Sequence, residues 1–421
     1  MKKILLSAAL LSGAMMFAGG FRVSLQGVKQ LAQAHTSAHA EDASVAFFNP
    51  AGMSFIPAKF SIVAGGFGAK SIVKYQNLST LESSKTDNPI GTPIYAAVAY
   101  KVVDQVSVGF SFSTPFGSTI EWPSDWAGRE IVQRLELKSF YFQPMVSVKL
   151  APWISFGGSY IYAKGTVNWD KAATKLNGEP LDASSTKGTL NLFDDQATGS
   201  GFGFGFYFQP DSKWDVSVAY RSPVDVKAKN GVVSFDINQS LYSTLGLDAN
   251  GKDTFTATLP LVDEFTLGAT YKITPRWQVS ADFNYTGWER YNKLTLDFAN
   301  APIGNQADNT VLVSQKNFEN TMTFRFGTQY RLSDMIVGRA GYYYDESPYN
   351  GANFQAETPS FNTNVFTAGL GFNFAKGFGL DVAGGLALPK AREFNNTFNG
   401  FSGQAKAKAY YFGLGLSYNV K

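Results

Sequence analysis

The sequence predicts an all-β protein, a 14-stranded antiparallel transmembrane β-barrel plugged by a small N-terminal hatch. Three observations lead there: an export leader with no later helical span, a body alternating at period two, and turns that are alternately short and long.

The leader comes first. Lys2 and Lys3 precede an apolar run over residues 4–18. A basic start followed by such a run reads as a secretory signal. It is short for a transmembrane helix, which needs about 20 residues. Residues 1–18 are therefore assigned to a signal peptide, with the mature chain starting near Gly19. No later stretch approaches 18 uninterrupted apolar residues. An exported chain without helical spans is either soluble or a barrel.

Alternation carries the body. Phe202, Phe204, Phe206 and Phe208 are separated by Gly203, Gly205 and Tyr207, and Tyr410, Phe412, Leu414, Leu416 and Tyr418 oppose Gly413, Gly415 and Ser417. Val106 to Phe112, Phe265 to Tyr271, Met322 to Tyr330 and Leu380 to Leu388 follow the same rule. Successive strand side chains point to opposite faces, so each segment has one large apolar face and one small or polar face. A soluble sandwich would place Lys and Glu on its second face. Here it carries Gly, Ser, Thr and Asn, which suits a lumen.

The turns supply the third observation. Tight turns fall at Val103-Asp104-Gln105, Ala151-Pro152-Trp153, Pro210-Asp211-Ser212, Thr274-Pro275-Arg276, Leu332-Ser333-Asp334 and Ala375-Lys376-Gly377, with longer polar stretches between them. Six tight turns join six hairpins, and one strand remains at each end, so the strand count is 14. Strands are expected to start near residues 58, 92, 106, 130, 154, 196, 214, 256, 277, 316, 336, 361, 378 and 403. Trp153, Trp214, Trp277 and Phe378 each follow a tight turn and read as an interfacial aromatic girdle at the inner rim.

Residues 19–56 do not alternate and are assigned to the hatch, leaving 57–421 for the barrel. Val28, Leu31, Ala32, Ala34 and His35 are expected on one helical face, and a helix is expected to stop at Asn49-Pro50. A 14-stranded lumen is too wide for side chains alone to fill. Phe47, Phe48, Met53 and Phe55 argue against leaving this segment in water.

Composition narrows function. The 421 residues include 36 Lys+Arg, 33 Asp+Glu, two His and no Cys. The missing Cys excludes disulfides and thiolate chemistry. A net charge of +3 gives no reason to expect nucleic acid. His35 and His39 stand i, i+4 and could share a helix face, but two imidazoles with loose acids are weak grounds for a metal. The metal and cofactor expectation is none. No imidazole follows residue 39, so the wall supplies no base for a Ser–His hydrolase, and no enzyme is expected.

Two blocks carry a family resemblance. Glu41-Asp42-Ala43-Ser44 followed by Phe47-Phe48-Asn49-Pro50-Ala51-Gly52-Met53 resembles the N-terminal hatch of the FadL family of outer-membrane transporters. Ser113-Thr114-Pro115-Phe116-Gly117, then Asp125-Trp126-Ala127-Gly128-Arg129 and Pro144, resembles that family's third and fourth strands, and Gly19-Gly20-Phe21 its usual mature start. The chain closes Tyr418-Asn419-Val420-Lys421, where family members usually end in an aromatic. The resemblance implies a monomeric, hatch-plugged barrel in the outer membrane of a Gram-negative bacterium, surrounded by lipid and lipopolysaccharide. It implies passive transport of long-chain fatty acids or other hydrophobic molecules.

Site residues follow from both lines. Pro cannot donate to a ladder, so Thr114, Pro115, Phe116 and Gly117 are expected either to kink the third strand or to start a loop. The resemblance assigns a lateral opening to that kink. Asn49, Pro50, Ala51 and Gly52 are expected to hold and gate the hatch, against the plainer reading of a structural turn. Alternation puts Arg221, Arg325 and Arg339 on the lumen face as candidates for a substrate carboxylate, which a guanidinium fork can hold bidentately. Asp215, Glu264, Asp282 and Asp381 share that face, so structural ion pairs compete with this role. A general diffusion porin, an aromatic-hydrocarbon channel and a surface receptor are the rival functions.

Overall fold

The computed structural model describes residues 19–173 and 188–420, with the backbone of Lys175–Leu176 and Glu179–Pro180. The leader expected at 1–18 lies outside the described residues. Among the described residues, fourteen strands form one closed up-and-down sheet. They are β1 (Phe60–Gln76), β2 (Ile94–Val103), β3 (Val106–Ser113, resuming as Gly117–Glu121), β4 (Arg134–Ala151) and β5 (Ile154–Ala172). Next come β6 (Thr189–Phe208), β7 (Trp214–Arg221 and Val224–Asp236), β8 (Lys252–Leu261 and Glu264–Thr274) and β9 (Trp277–Thr286 and Lys293–Phe298). The circuit ends with β10 (Val311–Gln315 and Thr321–Arg331), β11 (Ile336–Asp345), β12 (Thr363–Asn373), β13 (Phe378–Pro389 and Arg392–Asn395) and β14 (Ser402–Val420). The strands pair antiparallel in sequence order. β14 then closes on β1 in unbroken register from Phe60↔Val420 to Gln76↔Gln404. Closure leaves no sheet edge to template aggregation. A short strand, Ser83–Lys85, folds back on the upper end of β1.

The two faces sort as alternation requires. Phe202, Phe204 and Phe206 on β6, and Tyr410, Phe412, Leu414 and Leu416 on β14, are all exposed on the outside. A continuous exposed apolar belt is costly in water and suited to lipid. Trp153, Trp214, Trp277 and Phe378 are exposed at the short-turn rim. Trp214 packs on Tyr271 at 4.7 Å and Phe378 on Tyr418 at 4.5 Å, while Trp277 Nε1 donates to Thr328 Oγ1 at 3.0 Å.

The segment before β1, which we call the hatch, is buried inside this wall. It contains a single-turn helix, α1 (Val28–Leu31), and two 3-10 helices, Ala43–Phe47 and Pro50–Phe55. One expectation is corrected here. The helix stops at Leu31 instead of continuing through Ala34 and His35, because Ala34 and His35 take left-handed conformations (φ 58° and 59°). His35 and His39 therefore share no helix face. The stop at Asn49-Pro50 falls as expected: the 3-10 helix Ala43–Phe47 ends before it, Asn49 is extended, and Pro50 opens the next helix. Pro50 occupies the first helical position, where a missing N–H costs nothing, and Asn49 caps this helix by accepting from Ala51 N–H at 3.0 Å.

The small residues of the inner face have a packing cause. A β-carbon on Gly157 would overlap the Pro50–Ala51 backbone, and one on Gly205 would overlap the Asn49 side chain. The hatch backbone lies directly on the wall, so the wall there must be nearly bare.

Candidate functional site

β3 leaves the sheet at Thr114, Pro115 and Phe116. Its ladder with β2 ends at Ala96↔Phe112. Against β4 the register passes from Ser113↔Tyr141 to Gly117↔Lys138, so three residues of β3 face two of β4. That is a bulge, and it bends the bulged strand. Ser139 holds the bend: its Oγ donates to the Phe116 carbonyl (2.7 Å) and accepts from Phe116 N–H (3.0 Å). Contact across to the chain before β2 returns at Glu121, whose N–H donates to Asn88 Oδ1 (2.8 Å) and whose carbonyl accepts from Asp87 N–H (2.9 Å).

The hatch bonds to this bend. Val23 N–H donates to the Pro115 carbonyl (2.7 Å), and Gly117 N–H donates to the Phe21 carbonyl (2.9 Å), a two-bond bridge centred on Arg22 and Phe116. Just before it, Gly19 and Gly20 adopt φ of 64° and 67°, which only glycine takes without strain. Any β-carbon on Gly20 would also run into Trp288. Freed to turn there, the chain buries Phe21 edge-on to Trp288 (4.9 Å) and Tyr291 (5.6 Å).

Two cavities meet at this junction. The first, about 110 Å³, is walled by apolar side chains including Phe21, Phe116, Leu137, Trp169, Phe255 and Tyr291. Its buried charges are Lys316 and Glu357, paired at 2.5 Å. The second, about 50 Å³, is polar and lies between hatch and wall. Arg22, Val23, Phe47, Pro50, Pro115, Arg221, Glu264 and Arg325 border it. Phe21 and Phe116 thus face one cavity, and Arg22, Val23 and Pro115 the other.

Asn49 fixes the far side of the hatch. Its Nδ2 donates to the Phe206 carbonyl (2.9 Å), Ser217 Oγ (3.0 Å) and the Val218 carbonyl (3.3 Å), while its Oδ1 caps the helix. The Ala51 carbonyl accepts from Ser147 (2.9 Å) and Ser155 (2.7 Å). Asn49 and Ala51 thus bond to β4, β5, β6 and β7, and Gly52 packs on Val45 and Tyr207.

The three candidate arginines are buried or nearly so, and they differ. Arg339 pairs with Asp381 at 2.6 Å and bonds Gln329. Arg221 shares Glu264 with Arg22 (3.0 and 2.5 Å) and donates to the Phe47 carbonyl (2.6 Å). Arg325 reaches the Ala34 carbonyl (3.4 Å) and the Tyr343 ring. Among the described residues it has no carboxylate within 4.0 Å. None of the three lines the apolar cavity. Lys316 and Glu357 do, and sequence reasoning missed them because both sit in irregular segments where alternation assigns no face.

Hatch electrostatics centre on Lys29, which pairs with Asp42 at 2.5 Å and Glu41 at 3.4 Å. Burial works against the Asp42 charge, but Lys29 and the Ser44 hydrogen bonds hold its carboxyl below the usual range. Burial pushes His39 down to about 4, with Arg339 and Lys29 opposing its protonation and Glu41 favouring it. His35 is also lowered, by burial and then by Arg325 and Arg22. Among the described residues no cluster of three or more acids and imidazoles is placed to hold a metal.

Known proteins share this layout. A model of the outer membrane protein transport family (OMPP1/FadL/TodX) matches residues 9–420. The chain is 28% identical over 418 residues to the putative outer membrane protein NMB0088 of Neisseria meningitidis, covering 91% of this chain and 88% of that one. It is 23% identical to the long-chain fatty acid transport protein of Escherichia coli over 75% of this chain and 74% of that one. A solved Pseudomonas aeruginosa FadL homologue superposes with a TM-score of 0.81 at 18% identity, covering 96% of this chain and 100% of that one. The Pseudomonas putida toluene transporter TodX gives 0.71 at 15%, covering 97% and 99%.

Proposed function

Because this chain belongs to the OMPP1/FadL/TodX family of outer-membrane transporters for hydrophobic compounds, we propose that it admits long-chain fatty acids by passive passage. The observation that carries this reading is the junction of Phe21–Val23 with Pro115–Gly117, which separates an apolar cavity from a polar one. A hydrocarbon tail finds no favourable place in a water-filled pore, whereas the apolar cavity accepts it by burial. Breaking the two backbone bonds at the junction would join the cavities. The gap between β2 and β3 at Thr114–Gly117 would then let the molecule leave sideways, into the membrane. Asn49 to Gly52 hold the hatch while the junction moves. One chain closes the whole barrel, so a monomer suffices.

The carboxylate is the discriminating group. Arg325 supports the fatty-acid reading, since it is a buried guanidinium beside the polar cavity with no acid of its own within 4.0 Å. Arg339 and Arg221 are already paired, and Arg221 also holds the hatch at Phe47. A second reading, uptake of aromatic hydrocarbons, draws on the ring-rich cavity, whose two lysines are already neutralised, Lys316 by Glu357 and Lys138 by Glu136. The test is uptake by cells lacking their own transporter, with a labelled long-chain fatty acid, toluene and a small sugar. Fatty-acid uptake without sugar leakage is expected. Toluene uptake alone would transfer the assignment to the second reading, and sugar permeation alone would make this a porin.

A further inference from the structure

On its outer surface the barrel carries a lysine cluster that transport does not use. Lys74 of β1 stands directly opposite Lys406 of β14 on one side and Lys85 of the strand Ser83–Lys85 on the other. Lys408 is opposite Ile72, and Lys70 is opposite Tyr410. Directly opposed residues share a face, so all five lysines point outward. Like charges facing each other across a ladder are destabilising. β1 is paired on both sides at Lys74, so that lysine is not there to blunt an edge, while on β14 Lys406 and Lys408 stand where the ladder with β13 lapses between Ala409 and Ala405. Counter-charge within the chain is sparse. Lys70 reaches the fully exposed Asp87 at 3.8 Å. Among the described residues no carboxylate lies within 4.0 Å of Lys74, Lys85, Lys406 or Lys408. Glu393 turns to Gln404 instead (3.4 Å).

Height on the wall says what kind of anion belongs there. Lys408 is one outward position above Tyr410, and below that come Phe412, Leu414 and Leu416, all exposed. Two residues of strand span about 6.7 Å, so the ammonium groups sit one step above the lipid-facing belt, on the long-loop side. A molecule that fits has hydrocarbon below and several negative charges at the hydrocarbon boundary.

We propose that Lys74, Lys85, Lys406 and Lys408 form a docking site for the phosphate groups of an outer-leaflet glycolipid, lipopolysaccharide, whose acyl chains lie along β14 and β1. This rests on the outer-membrane placement and not on the transport reading.

The test titrates the detergent-solubilised full chain with bisphosphorylated hexa-acyl lipid A, the same lipid with both phosphates removed, and phosphatidylglycerol. Four proteins are compared: the natural chain, the quadruple Lys74→Gln, Lys85→Gln, Lys406→Gln, Lys408→Gln, the double Lys406→Gln, Lys408→Gln, and a control. The control, Lys227→Gln, Lys229→Gln, Lys252→Gln, Lys293→Gln, removes four exposed lysines from β7 to β9. Retarded gel mobility on heating verifies each fold, and the double variant answers if the quadruple does not fold. The natural chain and the control should bind the bisphosphorylated lipid at least tenfold tighter than its dephosphorylated form, and the quadruple should lose that preference. The double should lose part of it. Unchanged preference in the cluster variants, an equal loss in the control, or phosphatidylglycerol binding as tightly as lipid A would each overturn the proposal.

Discussion

Replacing Asn49 tests whether the hatch is held at one point or by its bulk. Asn49→Ala removes a helix cap, worth about 1 kcal/mol. It also removes three donated bonds to Phe206, Ser217 and Val218, each worth about 0.5–1.5 kcal/mol net. The third is long, so the total is about 3 kcal/mol. The barrel wall keeps its own ladders, so the loss falls on hatch docking. At about 1.4 kcal/mol per tenfold, the undocked population should rise about a hundredfold. Asn49→Ser, which keeps an N-cap acceptor but cannot span to both wall carbonyls, should fall between. The assay is single-channel conductance in planar bilayers, scored as the fraction of time an ion-conducting state is open, beside fatty-acid uptake. An alanine variant that conducts and transports like the natural chain would refute the gating role. It would show that the burial of Phe47, Met53 and Ile56 holds the hatch unaided.

Three further predictions follow from the same geometry. Pro115→Val with Gly117→Val should favour a continuous β3, lowering uptake severalfold while the yield of folded barrel stays the same; equal uptake would remove the lateral route. Arg325→Gln should weaken equilibrium binding of a fatty acid about tenfold and leave binding of the matching alkane unchanged, whereas Arg339→Gln should raise ion leak by freeing Asp381; equal effects on acid and alkane would take Arg325 out of the site. Finally, His35 and His39 resist protonation in the hatch, with His39 lowered from 6.5 to about 4. A depressed imidazole contributes stability that is whole above pH 6.5 and lost as pH falls toward 4, because the displaced hatch binds more protons. Protease sensitivity of the hatch should therefore rise across that window, by about 3 kcal/mol at most for His39. His39→Gln should flatten the rise, and a flat profile in the natural chain would contradict the assignment.

What the sequence reveals depends on how local the cause is. Alternation is a property of neighbouring residues, so Phe202 to Phe208 and Tyr410 to Tyr418 disclose both faces of their strands, and Pro-Asp-Ser or Thr-Pro-Arg disclose the turns. The starts that follow tight turns, at 106, 154, 214, 277, 336 and 378, fall where expected for that reason, whereas starts after long loops shift, Thr189 lying well before the expected 196 and Val311 before the expected 316. The bend at Thr114–Phe116 was half legible. Pro115 announces a break, but only contact with Phe21 and Val23, more than 90 positions away, explains why it turns inward. The hatch was misread in detail because tertiary contact overrides local preference in it. Ala34 and His35 leave the helix to settle against β10 to β12, whereas the stop at Asn49-Pro50, set by proline's own geometry, falls where the sequence puts it. Lys316 and Glu357 come from irregular segments 41 positions apart, where periodicity says nothing.

The placement of the hatch also bears on the order of assembly. Its partners are spread along nearly the whole chain: Tyr95 bonds Val28, Ser217 bonds Asn49, Asp282 bonds Ser37, Thr367 bonds Ala34, and Ser360 bonds Gly20 across 340 positions. Contacts of such long range form late, because the loop-closure entropy must be met before they reward it. A segment that precedes every strand of the wall is therefore among the last to settle. A wall missing even one hairpin would leave part of the hatch without its seat, so tight sealing of the pore reports that the barrel has closed completely.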